Sequence, residues 1–297
     1  MKILLIVLLT ISTLLSAIDS KGKEFSFAYI PNAEFDSLHI YVTSEHNTTG
    51  LIEAQDFNVS ISFSLQSGES KVFDLPIELA KSPNAVVSKY AVNVFAKEDI
   101  SVFTLNHSAQ TSDSMLILPN KSLGLRYMLM SYAGISFNGD YPPTAIITAI
   151  HDNTKILIIS EKIKSENGIA VPVSVTLNKG DTYRFQPSLN TFDPTGTEII
   201  ASSPISVVSG VTGTQVPGGK PWIDHIVEMM PPVSSWGKTF LTKPFGSREK
   251  GDLLRVLASE NNTTITINDE IVATLKKGEY FETIRDDATL IKGTKPL

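Results

Sequence analysis

The sequence predicts an all-β protein built from tandem β-sandwich-like units, and three observations carry that reading. Apolar and polar residues alternate over short runs, turn residues separate those runs at short intervals, and the pattern recurs after about 105–113 residues. The clearest alternations are Val59 to Leu65 and Val171 to Leu177, each the pattern of a strand with one buried and one wet face. No stretch sustains a 3.6-residue apolar period, and Pro76 to Ala85 admits one short helix at most.

From the N-terminus, residues 1–17 read as a signal peptide: Lys2, an apolar run from Ile3 to Leu15, then the small residues Ser16 and Ala17. Cleavage is expected after Ala17. The run falls short of the roughly 20 apolar residues that cross a bilayer, and polar Asp19 to Lys23 follow it directly. No second long apolar run and no C-terminal lipid-anchor signal appears, so the expected product is secreted, extracellular and soluble, with no membrane span after signal cleavage.

The remainder divides into a β-rich unit one at 23–130, a unit two at 131–243 and a partial unit three at 244–297. Unit one begins with candidate strands at Phe25 to Tyr29, Leu38 to Val42, Val59 to Leu65 and Val92 to Val94. Its landmarks are Ile40-Tyr41-Val42, then Leu65-Gln66-Ser67-Gly68, then Asp99-Ile100-Ser101-Val102, then Leu118-Pro119 running on to Tyr127. Unit two answers in the same order with Ile146 to Ala149, Leu177-Asn178-Lys179-Gly180, Pro204-Ile205-Ser206-Val207, and Pro231-Pro232 running on to Phe240. Further strands are expected at Ile156 to Ile159 and Ile205 to Val208. Unit three supplies Val256 to Ala258, Thr264 to Ile267 and Leu275-Lys276-Lys277-Gly278, then stops before its second half. About 50 residues cannot bury both faces of their strands unaided, so unit three is expected to be incomplete or to close against unit two.

Composition narrows the function classes. The chain has 297 residues, no cysteine and a net charge of −6, without any basic cluster, so nucleic acid is not an expected partner. Without disulfides, an exported protein must hold together by packing alone. Asn47, Asn58, Asn106, Asn120, Asn261 and Asn262 head Asn-X-Ser/Thr acceptors for N-glycosylation, the last two being adjacent and unable to carry glycans together.

The segment Trp222-Ile223-Asp224-His225-Ile226-Val227-Glu228 gathers two carboxylates and an imidazole within five residues, and Trp222, Asp224, His225 and Glu228 are the candidate ligand contacts. A strand would send Asp224 and His225 to opposite faces and no second His stands at helical spacing, so neither a metal nor a catalytic site is expected there. The segment reads instead as a linker between strands. The Gly-X-Ser-X-Gly nucleophile elbow is absent, and His39, His46, His107 and His151 are scattered singly. Gly210 to Pro221 has a glycine-rich look, but Gly219 fills the lysine slot of a phosphate loop and Pro221 the magnesium-ligating slot. It reads as a long loop on a β scaffold, a common place for recognition. No cofactor is expected.

Three segments also carry a resemblance. Leu116-Ile117-Leu118-Pro119 with Leu123 to Tyr127, Ile200 to Gly210, and Asp224-His225-Ile226-Val227-Glu228-Met229-Met230-Pro231-Pro232 with Trp236-Gly237 resemble the N-terminal domain of the IgG-Fc-binding protein family. The resemblance implies an extracellular, non-enzymatic module of mucus-type secretions, adhesion or immunoglobulin binding, without cofactor. The chain departs from the vertebrate pattern in lacking a cysteine before Asp224-His225 and cysteine-rich von Willebrand type D repeats downstream. The expectation therefore stops short of immunoglobulin. It is a secreted binding, adhesion or matrix protein acting on an extracellular glycoprotein, mucin or cell-surface protein. The alternative is a secreted carbohydrate binder or hydrolase with its site between Gly210 and Glu228, where Trp222, Asp224 and Glu228 suit a sugar.

Overall fold

The computed structural model describes residues 19–33, 37–136, 140–160, 172–187, 192–219, 222–247 and 250–297; the expected signal peptide and Val171 lie outside them. Among the described residues every regular element is a strand or a short 3-10 turn, so the protein is all-β. The segment that admitted a helix makes one 3-10 turn, Ile77–Ala80.

Unit one contains β1 (Gly22–Phe27), β2 (Ser37–Ser44), β3 (Thr48–Ala54), β4 (Val59–Leu65), β5 (Ser70–Leu75), the short β6 (Val87–Ser88), β7 (Val92–His107) and β8 (Asp113–Ile117). β7 organises it. Its first part pairs with β1 and β3, its second part with β2 and β8, while β4 extends β3 and β5 extends β2. One long strand therefore serves two layers, β4-β3-β7-β1 and β5-β2-β7-β8, as in a sandwich whose corner is turned by a bent strand.

Unit two contains β9 (Gly124–Met128), the small hairpin β10 (Ile135–Ser136) and β11 (Asp140–Tyr141), then β12 (Pro143–Ala149), β13 (Thr154–Ile159), β14 (Val173–Leu177), β15 (Thr182–Phe185), β16 (Glu198–Thr214) and β17 (Asp224–Met229). Its two layers, β14-β13-β16-β9 and β15-β12-β16-β17, match those of unit one strand for strand. β6 adds to the outer edge of β15. β9 ends before residue 131 yet pairs within this second sheet, just as β1 pairs within the first.

Unit three contains β18 (Thr239–Thr242), β19 (Asp252–Leu257), β20 (Thr263–Ile267), β21 (Glu270–Leu275), β22 (Tyr280–Arg285) and β23 (Thr289–Gly293). Its layer β21-β20-β23-β18 matches the first layer of the other units, whereas β19 and β22 form only a two-stranded ribbon.

The structure corrects two readings of the middle of the chain. Gly210 to Thr214, expected in a long loop, belong to the 17-residue β16, and of the segment expected as a linker, Asp224 to Glu228 lie in β17 while Trp222 and Ile223 precede it. Glycine serves close approach here: a side chain at Gly210 would strike the Ile226 carbonyl and the Ile30 side chain. Pro204 is tolerated inside β16 because it falls at the bend, where the ladders to β13 and β12 have ended and not yet begun.

The Leu-X-X-Gly landmark is the same turn three times. Gly68, Gly180 and Gly278 have φ of +80°, +84° and +77°, which favours glycine. Their N–H groups donate to the carbonyls of Ser44, Ala149 and Ala258. The acidic residues that follow, Glu69, Asp181 and Glu279, accept from the N–H of Gln66, Asn178 and Lys276 at 2.7–2.8 Å.

Two cores result. Phe25, Phe27, Ile40, Val42, Val94 and Ile100 fill unit one, and Tyr127, Ile147, Ile158, Phe185 and Val207 fill unit two. β12 is buried on both faces, as its near-continuous apolar sequence implies. Its Ile146 joins the core of unit one with Val208, Val227 and Met229, so the units share packed surface. Each such side chain contributes about 1.5–3 kcal/mol.

Candidate functional site

β17 alternates as a strand must: His225, Val227 and Met229 point inward and Asp224 and Glu228 outward. Where it meets unit one, the side chains of Thr111, just before β8, and of Asp113, at its start, replace ladder partners. Thr111 Oγ1 donates to Asp224 Oδ1 at 2.8 Å and accepts the N–H of His225. Asp113 Oδ2 accepts the Val227 N–H at 2.8 Å.

These contacts set unusual electrostatics. His225 is 2 % exposed, its Nδ1–H donates to the Val211 carbonyl at 2.9 Å, and its Nε2 has no partner among the described residues. Burial pushes the imidazole down to about 4, so it is neutral at physiological pH. Glu228 is exposed as a residue, yet crowding strips water from its carboxyl and raises it to about 7, with repulsion from Asp113 adding to the effect. Asp113 is itself raised by burial.

Beside this junction opens a hollow of about 420 Å³ lined by Ala33, Gln110, Thr111, Tyr141, Trp222 and Ile223. Trp222 is 81 % exposed. Of the four residues singled out from sequence, Trp222 lines the hollow and Asp224 is tied to its Thr111 wall. Glu228 lies further along the same face of β17 beside Asp113, and His225 faces the interior. Sequence reasoning missed Ala33, Gln110, Thr111 and Tyr141. Only the aromatic character of Tyr141 offered a signal; the others are brought in by the packing of unit one on unit two. An indole, a phenol, an amide and a hydroxyl around an open hollow can stack on and hydrogen-bond to a ligand. Among the described residues no group of three or more His, Asp or Glu is arranged to hold a metal ion.

The acceptor asparagines differ in access. Asn47, Asn58, Asn261 and Asn262 are exposed, Asn120 is half-buried with Nδ2 on Ser26 Oγ, and Asn106 is 4 % exposed with Nδ2 donating to the Ile30 carbonyl.

Fold and junction together define a tandem all-β module, two matching sandwiches and a partial third, with an aromatic hollow where the first two meet. The chain belongs to the family described as IgGFc binding protein, whose model matches residues 113–297. It is similar to the human (Homo sapiens) IgGFc-binding protein, with 26 % identity over 256 residues covering 83 % of this chain. The chain spans only 5 % of that relative's length. No solved structure matches. Membership bears out the resemblance carried by the Leu116, Ile200 and Asp224 segments and is consistent with an extracellular binding protein. Among the described residues no helix is long and apolar enough to cross a membrane.

Proposed function

We propose that the chain is an exported, non-enzymatic binding module that engages an extracellular glycoprotein, mucin or cell-surface protein through the junction of units one and two. The observation that carries this reading is Trp222, left 81 % exposed at the rim of a hollow it shares with Tyr141. Exposed tryptophan beside a concavity has the chemistry of a binding hot spot, because a large rigid ring is desolvated only when a partner arrives. Family membership supports a binding role. Immunoglobulin recognition belongs to the named relative and is not assumed.

The test uses purified secreted glycoproteins, mucins and Fc fragments on a surface, probed with wild-type chain, Trp222→Ala, and Leu241→Ala as a distant exposed control. Saturable binding to one partner, reduced at least tenfold by Trp222→Ala alone, is expected. Equal binding by all three chains would overturn the role of the junction.

A second reading is favoured by the pairing of Trp222 and Tyr141 with Gln110, Thr111 and the nearby Asp224, which suits a sugar ring: stacking below, hydrogen bonds at the rim. On a glycan array, specific binding lost in Trp222→Ala would favour carbohydrate, and silence would favour protein. Turnover of glycoside, ester or peptide substrates would defeat the non-enzymatic reading.

The exposed acceptors Asn47, Asn58 and one of Asn261 or Asn262 are the glycan sites of this proposal. In material from a eukaryotic host, glycosidase treatment should sharpen and lower the gel band, and Asn106→Gln should leave the band unchanged. A glycan on Asn106 would contradict the proposal, since its amide is spent inside the fold.

A further inference from the structure

The register of the three units singles out one cross-strand pair in each. Val72 pairs with Tyr41, Arg184 with Ile146 and Glu282 with Arg255. The pairs are equivalent, because Tyr41, Ile146 and Arg255 each stand three residues before the Ser44, Ala149 or Ala258 whose carbonyl accepts the N–H of a matched-turn glycine. Unit one places two uncharged side chains there, and unit three an acid and a base that meet at 2.6 Å. Unit two supplies the cation alone. Of the four arginines among the described residues, Arg126, Arg255 and Arg285 each hold a carboxylate at 2.6–2.8 Å. The guanidinium of Arg184 has neither an ion pair nor a hydrogen bond among the described residues.

Packing nevertheless holds this side chain in place. Met229, Val208, Ile146 and Arg184 are successive partners across the sheet and share one face, and the first three are buried in the core of unit one. Arg184 ends that row where residues 84–90 of unit one cross the edge of β15. There the Ala85 N–H donates to the Arg184 carbonyl at 2.9 Å, Asn84 Nδ2 donates to the Gln186 carbonyl at 3.4 Å, and the Tyr90 N–H donates to Thr182 Oγ1 at 3.3 Å. Arg184 is half-buried, and its Nε is sealed from water with no partner among the described residues. Nη1 and Nη2 are not sealed, so the two forked donors stand open to solvent. The Tyr90 ring, edge-on to Phe57 at 5.0 Å, is close enough to act on the guanidinium, and its hydroxyl is likewise open and unbonded among the described residues. Burial lowers the pKa of Arg184, and no described carboxylate is near enough to oppose that.

We propose that the β15 edge of the seam between units one and two is a subsite for the oxyanion of an acidic sugar, a carboxylate or a sulfate ester, bound by Nη1 and Nη2 of Arg184 with the Tyr90 hydroxyl donating beside them. A guanidinium presents two parallel donors that match two oxygens of such a group. A partly desolvated cation without a counter-ion is unfavourable to the fold, and a bound anion relieves it. A single positive charge among the amides of Asn84 and Gln186 and the hydroxyls of Ser88 and Tyr90 fits one charge on a hydroxylated ligand, not a polyanion. The net charge of −6 also repels acidic protein surfaces at long range. The subsite shares no residue with the Trp222 hollow and goes beyond the binding role proposed for it.

The test is an NMR titration of the isotope-labelled full chain at low salt, read at the Arg184 Nε–H and at the backbone amides of residues 84–90. The probes are sialyllactose, sulfated lactose, unmodified lactose, and aspartate blocked at both ends as a protein-type carboxylate. Saturable shifts are expected with at least one acidic sugar, none with unmodified lactose, and at least tenfold weaker binding of the blocked aspartate. Preference for sialyllactose assigns the carboxylate as the ligand group, and preference for sulfated lactose the sulfate ester. Arg184→Gln should weaken binding at least tenfold, Arg184→Lys should recover part of the loss, and Tyr90→Phe should weaken binding about threefold. No saturable shift with either acidic sugar, an equal shift with unmodified lactose, tighter binding of the blocked aspartate, or equal binding by Arg184→Gln would each overturn the proposal. The titration of the unmodified chain decides even if a variant fails to fold, and reading it at Arg184 separates this subsite from any sugar held at the Trp222 hollow.

Discussion

His225 and Glu228, three residues apart on opposite faces of β17, titrate against each other. His225 has its folded value lowered from 6.5 to about 4, so its stabilising contribution is complete above pH 6.5 and is lost as pH falls through about 4. For this buried ring the loss amounts to about 3 kcal/mol. Glu228 has its folded value raised from 4.5 to about 7, so its contribution is complete below pH 4.5 and is lost as pH rises through about 7. Exposure of Glu228 reduces that effect to the order of 1 kcal/mol. The wild-type profile is therefore the difference of two opposing slopes, and single variants are needed to separate them. In urea denaturation between pH 4 and 8, His225→Phe should flatten the acid limb, and Glu228→Gln should gain stability at pH 8 and none at pH 4. An acid limb as steep in His225→Phe as in wild type would remove His225 as its cause. Trp222 and Asp224 could be picked out in the sequence because indoles and carboxylates announce their chemistry. The contacts of Thr111 and Asp113 could not, because each reaches β17 from more than a hundred residues away.

At the scale of elements, glycine plays two physically different parts, and they predict different costs. Gly180 sits in the turn between β14 and β15 at φ +84°, where an added Cβ meets nothing within 4 Å. Gly196 has φ +90°, and its Cβ would be driven into the Gly278 backbone, at the point where the turn of unit three touches unit two. Gly180→Ala should thus cost only the left-handed strain, about 1–2 kcal/mol. Gly196→Ala adds the displacement of one backbone from another and should cost about 3 kcal/mol or more. Chemical denaturation of both variants checks this, and equal losses would show that the close approach is not what requires Gly196. The turns were legible in sequence because Leu-X-X-Gly-Glu/Asp encodes its own hydrogen bonds. β4 was legible because one of its faces is wet, which leaves alternation in the sequence. β16 was legible only at Ile205 to Val208: beyond them Pro204, Gly210 and Gly213 are local stop signals, overridden because strands pair with both edges of β16 and pack on both faces.

Across the whole molecule, unit three meets unit two through charge and stacking as well as the apolar cluster of Met128, Val233 and Leu257, whereas units one and two share an apolar seam. Arg255, with 7 % of its side chain exposed, lies between the rings of Tyr132 and Tyr280 at 3.9 and 4.1 Å from their centroids. It pairs with Asp193 at 2.8 Å and Glu282 at 2.6 Å and donates to the Ser131 carbonyl and Thr195 Oγ1. Nearby, Glu198 of β16 takes Arg126 at 2.6 Å and Lys277 at 2.7 Å, the latter from unit three. A planar cation fits between two rings while its edge meets two carboxylates, which an ammonium cannot do. Arg255→Met keeps the apolar stem but leaves Asp193 and Glu282 without their shared cation. Since both acids keep some water, the expected cost is about 2–3 kcal/mol, at the lower end for a broken buried pair. Arg255→Lys should recover part of it. Because β19 carries Arg255 while Asp193, Ser131 and Thr195 belong to unit two, the loss should fall on the contact that couples unit three to unit two. Calorimetry of Arg255→Met should then show a separate, earlier transition for unit three, with the packed pair of units one and two melting at the wild-type temperature. A single cooperative transition at the wild-type midpoint would mean that the apolar contacts around Met128, Val233 and Leu257 suffice to couple unit three to the rest.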